Sequence, residues 1–107
     1  MTNSPFLKIP KSDYVTFNQY AFSIWDKYPV TPGHALIIPY RPINSWWLTE
    51  EIERTQLFDL VDEVKSIIET THDPDGYNIG MNNGKVAGQT INHLHLHLIL
   101  HRQNLHS

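Results

Sequence analysis

The sequence predicts an α+β fold, with an antiparallel sheet of about five strands, one long helix and a short helix. Two observations carry this prediction. Residues 49–70 repeat apolar side chains every three or four positions, which is the helical period. On both sides of this segment, short apolar and aromatic runs are separated by Asn, Pro and Gly, which is typical of strands joined by turns. Short connections of this kind favour antiparallel neighbours with helices on one face of the sheet.

The first half of the chain predicts a short lead-in and three strands. Residues 6–10 are predicted as a short helical or irregular segment. The next two apolar runs flank Asn18 and Gln19, which predicts a hairpin, and a loop with two prolines and one glycine separates them from a buried strand. The predicted strands here are residues 14–17, 21–25 and 35–38.

The helix is the longest predicted element. Its apolar positions run from Ile52 to Ile68, and acidic residues occupy its first turn, where they complement the helix dipole. The Asp-Pro-Asp-Gly sequence at residues 73–76 ends it. A strand over residues 77–82, a turn-rich loop over residues 83–88 and a histidine-rich strand complete the chain.

Composition limits the classes of function. A domain of 107 residues has a thin core, so we expect one domain and a homodimer. The net charge of −3, without a block of Lys or Arg, disfavours polynucleotide binding. No run of about 18 apolar residues is present to cross a membrane, and the first residues do not resemble a signal peptide, so the expected location is the cytoplasm. The absence of cysteine excludes disulfides, thiolate catalysis and cysteine zinc sites.

Three histidines near the end of the chain alternate with leucine: His93, His95 and His97. Alternate residues of a strand share a face and lie roughly 6.5 to 7 Å apart. The sequence therefore predicts a histidine row on one strand, facing a cleft. The residues predicted to pack against the helix from the opposite face are Leu94, Leu96, Leu98 and Leu100.

The spacing of the histidine row leaves two chemical interpretations open. Neutral imidazoles at alternate positions can approach one zinc ion, especially on a twisted strand. Imidazole is also a nucleophile and a proton carrier near neutral pH, which suits phosphoryl or acyl transfer. A merely solvated polar face is a poorer explanation, because histidine is uncommon and appears three times in alternation.

The loop before the histidine row favours phosphate chemistry. Side-chain amides, a hydroxyl and glycine-exposed backbone amides can hold phosphate oxygens and stabilise their developing charge. A zinc site would not need these donors. The residues concerned are Asn82, Asn83, Gly84, Gly88, Gln89 and Thr90.

Residues 88–99, Gly-Gln-Thr-Ile-Asn-His-Leu-His-Leu-His-Leu-Ile, resemble the signature of the histidine triad (HIT) superfamily. Residues 25–39, with Trp-Asp followed by Pro-Val-Thr-Pro-Gly-His-Ala-Leu-Ile-Ile-Pro, resemble that family's other recurrent block. Residues 77–82 fit the strand before its phosphate loop. The resemblance covers residues 6–100, and it implies a single HIT-like domain over residues 1–107.

The resemblance implies a nucleotide hydrolase, for which no cofactor or metal is expected. The middle histidine, here His95, would attack the α-phosphorus and form a covalent nucleotidyl-histidine, which water would hydrolyse to a nucleoside monophosphate. The carbonyl of His93 would orient His95, and His97 would contact the phosphate or the leaving group. The implied substrates are nucleoside phosphoramidates, dinucleoside polyphosphates or related nucleotide conjugates.

Further residues match substrate-binding positions of the family. His34 matches a histidine that completes the pocket, and Asp26 matches the residue that binds ribose hydroxyls, for which a carboxylate is a suitable acceptor. The positions expected at the α-phosphate or leaving group are Asn82, Gln89 and Thr90. The candidates for the base pocket are Phe6, Ile9 and Ile24.

The sequence departs from the family pattern after Ile99. The family continues with Pro-Arg and a further tail, whereas this sequence has a short tail, which leaves the choice of leaving group open. His101 has the parity of the histidine row and is a candidate to reach the cleft. Two alternatives to the hydrolase remain: a nucleotide-binding module with little turnover, and a histidine-rich metal-binding protein.

Overall fold

The computed structural model describes residues 3–103, which form a four-stranded antiparallel sheet with one long helix. The elements are β1 (Ala21–Trp25), β2 (Ala35–Pro39), α1 (Glu51–Thr71), β3 (Gly76–Gly80) and β4 (Leu96–His101). The order of the strands in the sheet is β1-β2-β4-β3. The α+β class and the long helix are therefore confirmed. No helix in the described range is long and apolar enough to cross a membrane.

Short 3-10 turns connect these elements. The lead-in predicted at residues 6–10 is a turn over Pro5–Lys8, which Ser4 caps by accepting a hydrogen bond from the backbone of Phe6. The other turns are Lys11–Asp13, Trp46–Leu48 and Lys85–Ala87.

The prediction of about five strands was too high, because residues 14–17 do not form a regular strand. The segment does turn back on β1: the backbone N–H of Val15 donates to the carbonyl of Ser23 at 2.8 Å, and a single bridge joins Phe17 to Phe22. The N–H of Thr16, however, donates to the hydroxyl of Ser23 rather than to a carbonyl. The N–H of Ser23 donates to the carbonyl of Thr16 at 2.9 Å, so Val15 and Thr16 both face Ser23, and this two-to-one pairing leaves only an isolated bridge.

The histidine-rich strand also begins later than predicted. Ile37 pairs with Leu96 at the last register position between β2 and β4. Two residues further along β2 stands Pro39, which has no backbone N–H and cannot extend the ladder. The N–H of Leu94 donates instead to the carbonyl of Ile43 at 2.7 Å. His93 and His95 therefore lie in an irregular segment before β4. Of the three histidines of the row, only His97 is in the strand.

The N-terminus of α1 is fixed by a capping box. Glu50 and Glu53 exchange side-chain and backbone hydrogen bonds, which satisfies donors that the first turn leaves free. Glu53 is buried and also accepts two hydrogen bonds from Arg41. The hydrogen bonds from Arg41 hold the pKa of the Glu53 carboxyl below its usual value. The start of the helix is thus tied to the segment that leaves β2.

The two faces of the sheet bury different clusters. On one face, the leucines of β4 pack against α1, as predicted; Leu94 is also fully buried. The buried side chains of α1 in this cluster are Leu57, Leu60, Val61, Val64 and Ile68. The other face carries a smaller cluster, made of Phe6, Phe22, Leu36 and Ile38. The lead-in therefore covers part of the face on which His97 lies.

We predict that Leu98→Ala will lower the free energy of unfolding by about 2 to 5 kcal/mol, because Leu98 is fully buried against α1 and its truncation leaves a cavity. Urea unfolding at neutral pH measures the change. Leu48→Ala is the matched control, since Leu48 is 57% exposed and its truncation should change stability by about 0.5 kcal/mol or less. Equal effects of the two substitutions would contradict the proposed core.

Candidate active site

Four histidines and one aspartate meet at the face of the sheet opposite α1. Asp26 follows β1 and His34 precedes β2, and the pairing of these strands brings the two residues together: the N–H of Asp26 donates to the carbonyl of His34 at 2.9 Å. His97 lies on the neighbouring strand β4, paired with Leu36. The segment before β4 adds His93 and His95. Sheet register therefore assembles the site from three separate parts of the chain.

His95 has a defined tautomer. Its Nδ1 lies 2.8 Å from the carbonyl oxygen of His93. A carbonyl only accepts hydrogen bonds, so Nδ1 carries the hydrogen and the Nε2 of the neutral ring keeps its lone pair. The side chain is largely buried, with Phe6 edge-on to its ring at a centroid distance of 5.2 Å. His95 thus presents a nitrogen that can act as a nucleophile, and the prediction that the carbonyl of His93 orients it agrees with this geometry.

The ring of His93 does not face a cleft, which corrects the prediction of three imidazoles on one open face. The residue is completely buried. Its Nε2 donates to the carbonyl of Pro39 at 2.8 Å, and its Nδ1 lies 2.6 Å from the hydroxyl of Ser4. Burial lowers the pKa of His93, so the ring is neutral at pH 7. The side chain of His93 is therefore internal, and its carbonyl serves the site.

His34 and His97 form a second hydrogen-bonded pair. The backbone N–H of Val30 donates to Nδ1 of His34 at 3.1 Å, which leaves the ring hydrogen on Nε2. That nitrogen lies 2.9 Å from Nδ1 of His97, which must accept. The Nε2 of His97 consequently carries a hydrogen. The ring centroids of His97 and His95 are 5.1 Å apart, so the two rings are neighbours in the site.

Burial keeps the His34 and His97 pair neutral. Desolvation lowers the pKa of both rings, and the carboxylate of Asp26, 3.5 Å from Nε2 of His34, only partly opposes this effect. The other carboxylate oxygen of Asp26 accepts from the backbone N–H of Tyr28 at 3.0 Å. The pair therefore remains a directed chain of neutral donors and acceptors rather than an ion pair.

The same residues must be considered as metal ligands. Within residues 3–103, the one group of His, Asp or Glu side chains whose ligand atoms lie mutually within 4.8 Å is Asp26, His34 and His97. A metal-binding histidine normally donates its second N–H to an acceptor. The second nitrogen of His34 already receives the N–H of Val30, so metal on Nε2 would require an anionic ring. His93, which the zinc interpretation needed, is turned away from His97. The geometry thus fits proton chemistry better than metal binding.

The side-chain amides of the loop form hydrogen bonds with backbone groups of the loop and of its surroundings. Asn82 donates to the carbonyl of Ala87 at 2.7 Å, and the α-phosphate contact expected of it stays a prediction. Gln89 accepts from the N–H of Gly84 and donates to the carbonyls of Asn44 and Ile91, so its polar atoms are occupied. Thr90 is exposed.

A glycine requirement shapes the same loop. Gly88 has a φ of 94°, in the left-handed region, and a Cβ there would lie 3.4 Å from the amide nitrogen of Asn82.

Next to the loop lies a polar cavity of about 510 Å³. Its walls are formed by Asn44, Ser45, Asn83, Gly84, Lys85, Gln89, Thr90 and Asn92. Asn44 and Ser45 were not among the predicted substrate residues, since no local pattern links residues 44–45 to the loop.

The predicted base-pocket residues lie on the face of the histidines. Phe6 is buried and touches the rings of His93 and His95 edge-on. Ile9 and Ile24 are half-buried and pack against the cluster that contains Phe6. His101 does not join the site; it hydrogen-bonds to Asn78 of β3. Ser4 was not predicted as a site residue, because its position before Pro5 is typical of a cap but gives no sign of its contact with His93.

Comparison with known families agrees with the motifs. Residues 8–104 match the family model of the HIT domain. The chain belongs to the HIT family. The crystal structure of a HIT family protein from Bacillus anthracis superposes with a TM-score of 0.87 at 30% identity, and the match covers 95% of this chain and 75% of that protein.

Two HIT relatives carry the names of enzymes. The AP-4-A phosphorylase of Mycobacterium tuberculosis (strain ATCC 25618 / H37Rv) is 30% identical over 101 residues, covering 89% of this chain and 52% of the relative. The asymmetrical bis(5'-nucleosyl)-tetraphosphatase of Schizosaccharomyces pombe is 39% identical over 71 residues, covering 66% of this chain and 39% of that protein. The chain thus spans about half or less of the length of these two enzymes.

The buried histidines of this HIT domain predict a pH-dependent stability. His34, His93 and His97 have folded-state pKa values below the ordinary 6.5. As pH falls below 6.5, the unfolded chain therefore binds more protons than the folded chain, and stability is lost until pH reaches the lowered folded values. Each excess proton contributes at most about 1.4 kcal/mol per pH unit.

Urea unfolding between pH 7.5 and pH 5.5 measures this loss. The free energy of unfolding should decrease with falling pH, and His97→Asn should reduce the slope because one of the three rings with a lowered pKa is gone. A slope of the opposite sign, or one that His97→Asn leaves unchanged, would contradict the neutral buried state.

Proposed function

We propose that this HIT domain is a nucleotide hydrolase that acts at an α-phosphate through a covalent nucleotidyl-histidine on His95. The observation that carries the proposal is the hydrogen bond from Nδ1 of His95 to the carbonyl of His93, which in the neutral ring puts the lone pair on Nε2. An unprotonated imidazole nitrogen is a competent nucleophile at neutral pH without a metal or a thiol.

The first step transfers the nucleotidyl group to the enzyme. Nε2 of His95 attacks the α-phosphorus, the N–P bond forms, and the bond from phosphorus to the leaving group breaks. The positive charge that develops on the ring is shared with Nδ1–H, which the carbonyl of His93 stabilises. In this proposal, the neutral His97 keeps its Nε2 hydrogen and donates a hydrogen bond to the departing atom, which stabilises the negative charge that develops there; an amine leaving group takes its proton from the solvent.

The second step restores the enzyme. A water molecule attacks the same phosphorus, the N–P bond breaks, and His95 returns to its neutral form. His97 keeps its Nε2 hydrogen, and the attacking water releases one proton to the solvent. The product is a nucleoside monophosphate. The hydrogen bond from His34 to Nδ1 of His97 keeps the hydrogen of His97 on Nε2 in both steps.

The names of the two enzyme relatives support nucleotide substrates with a phosphoanhydride bond. Dinucleoside polyphosphates are therefore the first substrates to test, with nucleoside phosphoramidates as the second class. Asp26 is proposed to bind the ribose, and Phe6, Ile9 and Ile24 the base. Asn82 and Thr90 are proposed to bind the phosphates. Gln89 is proposed to hold the loop in place through its hydrogen bonds to the backbone of Gly84 and Asn44.

We predict that His95→Ala will lower kcat by roughly a thousandfold or more, because the nucleophile is lost, while AMP still binds. Turnover of diadenosine tetraphosphate and of adenosine phosphoramidate is followed by chromatography, AMP binding by calorimetry, and the adduct on His95 by mass spectrometry. His101→Ala is the matched control, since this histidine lies outside the site, and its kcat should be that of the wild type.

Three results would overturn the hydrolase assignment. Wild-type protein that binds AMP but consumes neither substrate would be a nucleotide-binding module. Unchanged turnover in His95→Ala would place the chemistry on another residue. Formation of ADP instead of AMP in phosphate buffer would show that phosphate, rather than water, is the acceptor, as the name of the mycobacterial relative indicates for that protein.

We also propose that two copies of the chain pair through β3. This strand is at one edge of the described sheet, so the outer backbone groups of β3 have no strand partner there, and Ile79 is 57% exposed. A second copy of β3 would satisfy these groups and cover Ile79. Sedimentation velocity should show a dimer that Ile79→Asp weakens, whereas Val30→Asp, in an exposed loop, should not. A monomeric wild type would contradict this proposal.

A further inference from the structure

The hydroxyl of Ser4 reaches from the beginning of the described chain into the active-site segment. Its Oγ lies 2.6 Å from Nδ1 of His93, a residue 89 positions away. Both partners are removed from solvent: Ser4 is 7% exposed and His93 is 0% exposed. Ser4 also lies outside residues 8–104, the part of the chain that matches the HIT domain. The contact is therefore a feature of this chain that the family match does not include.

The direction of this hydrogen bond follows from its neighbours. Nε2 of His93 donates to the carbonyl of Pro39, so Nδ1 of the neutral ring has no hydrogen and must accept. Ser4 is therefore the donor, and its oxygen in turn accepts the N–H of Phe6 at 3.2 Å. Both nitrogens of a buried imidazole are thus satisfied, which is the condition for holding such a ring in one orientation.

The contact is linked to the reacting nitrogen through one residue. The carbonyl of His93, whose ring Ser4 and Pro39 hold at both ends, accepts the hydrogen bond from Nδ1 of His95. Phe6, two residues after Ser4, packs edge-on against the rings of both histidines, at centroid distances of 5.5 and 5.2 Å. A displaced His93 would move this carbonyl, and His95 would lose the acceptor that sets its tautomer.

We propose that Ser4 is a positioning residue for the nucleophile: through its hydrogen bond to His93, it keeps His95 in the tautomer whose Nε2 is free. The proposal rests on the nucleotidyl-histidine mechanism above. Ser4 does not contact the reacting atoms, so its removal should slow the chemical step and leave substrate binding almost intact.

The kinetic test compares Ser4→Ala with Ser4→Thr, Ser4→Cys and the exposed Ser12→Ala. For diadenosine tetraphosphate, Ser4→Ala should lower kcat by about tenfold to a hundredfold, the effect expected of a misplaced reacting group, with KM changed by about twofold or less. Ser4→Thr keeps the hydroxyl and should restore most of kcat, and Ser4→Cys keeps a weaker donor and should fall between. Ser12→Ala should match the wild type.

A spectroscopic test does not depend on turnover. Nitrogen-15 spectra of the imidazole rings report which nitrogen carries the hydrogen. His95 should be the Nδ1–H tautomer in the wild type and in Ser4→Thr, and a mixture of tautomers in Ser4→Ala, measured well below the melting temperature of each variant. This measurement separates the two proposals, because a wild type without hydrolase activity would still give the tautomer of His95.

Two outcomes would overturn the role of Ser4. The first is a Ser4→Ala protein with reduced melting temperature but wild-type kcat and a single His95 tautomer, which would show that Ser4 only anchors the chain. The second is an equal loss of kcat in Ser4→Ala and Ser4→Thr, which would show that the hydroxyl is not the active feature.

Discussion

The missing N–H of Pro39 is the constraint on which the site depends. Because proline cannot donate to the ladder, pairing between β2 and β4 stops at Ile37 and Leu96, and the segment before β4 leaves the sheet. The carbonyl of Pro39 then accepts the ring hydrogen of His93, which draws this side chain into the interior. A regular strand would have presented three imidazoles to solvent. The irregular segment instead separates one internal histidine from two that face the site.

Backbone groups determine the protonation pattern of the whole cluster. A carbonyl accepts and an N–H donates, and neither can reverse its role. The carbonyl of His93 therefore assigns the hydrogen of His95, and the N–H of Val30 assigns that of His34 and, through it, that of His97. These fixed partners give His97 an N–H donor and His95 a free lone pair on neighbouring rings, and burial disfavours the charged form of His97. In the proposed mechanism, the lone pair attacks phosphorus and the N–H donor stabilises the leaving group.

Side-chain spacing predicted the parts of the fold that depend on residues close together in the sequence. The apolar period of α1 and the buried leucines of β4 followed from side-chain spacing, and the HIT motifs indicated His34, Asp26 and His95. The inward turn of His93 was not predictable from its parity, because it depends on Pro39 more than fifty residues earlier. The irregular pairing of residues 14–17 depends on Ser23, which faces both Val15 and Thr16 and whose hydroxyl accepts the N–H of Thr16. Long-range partners of this kind leave no periodic signal in a sequence.

The loop beside the site is attached to the connection between β2 and α1 by two side chains. Asn83 accepts the N–H of Trp46 at 2.6 Å, and Gln89 donates to the carbonyl of Asn44. Both bonds are made to the backbone of the connection, so the geometry of the connection, rather than its side chains, sets where the loop stands. If the loop binds phosphate as proposed, insertions or deletions in the connection would alter substrate selectivity without changing the proposed substrate-binding residues. Divergence in specificity among such proteins can thus arise through connection length while the histidines stay the same.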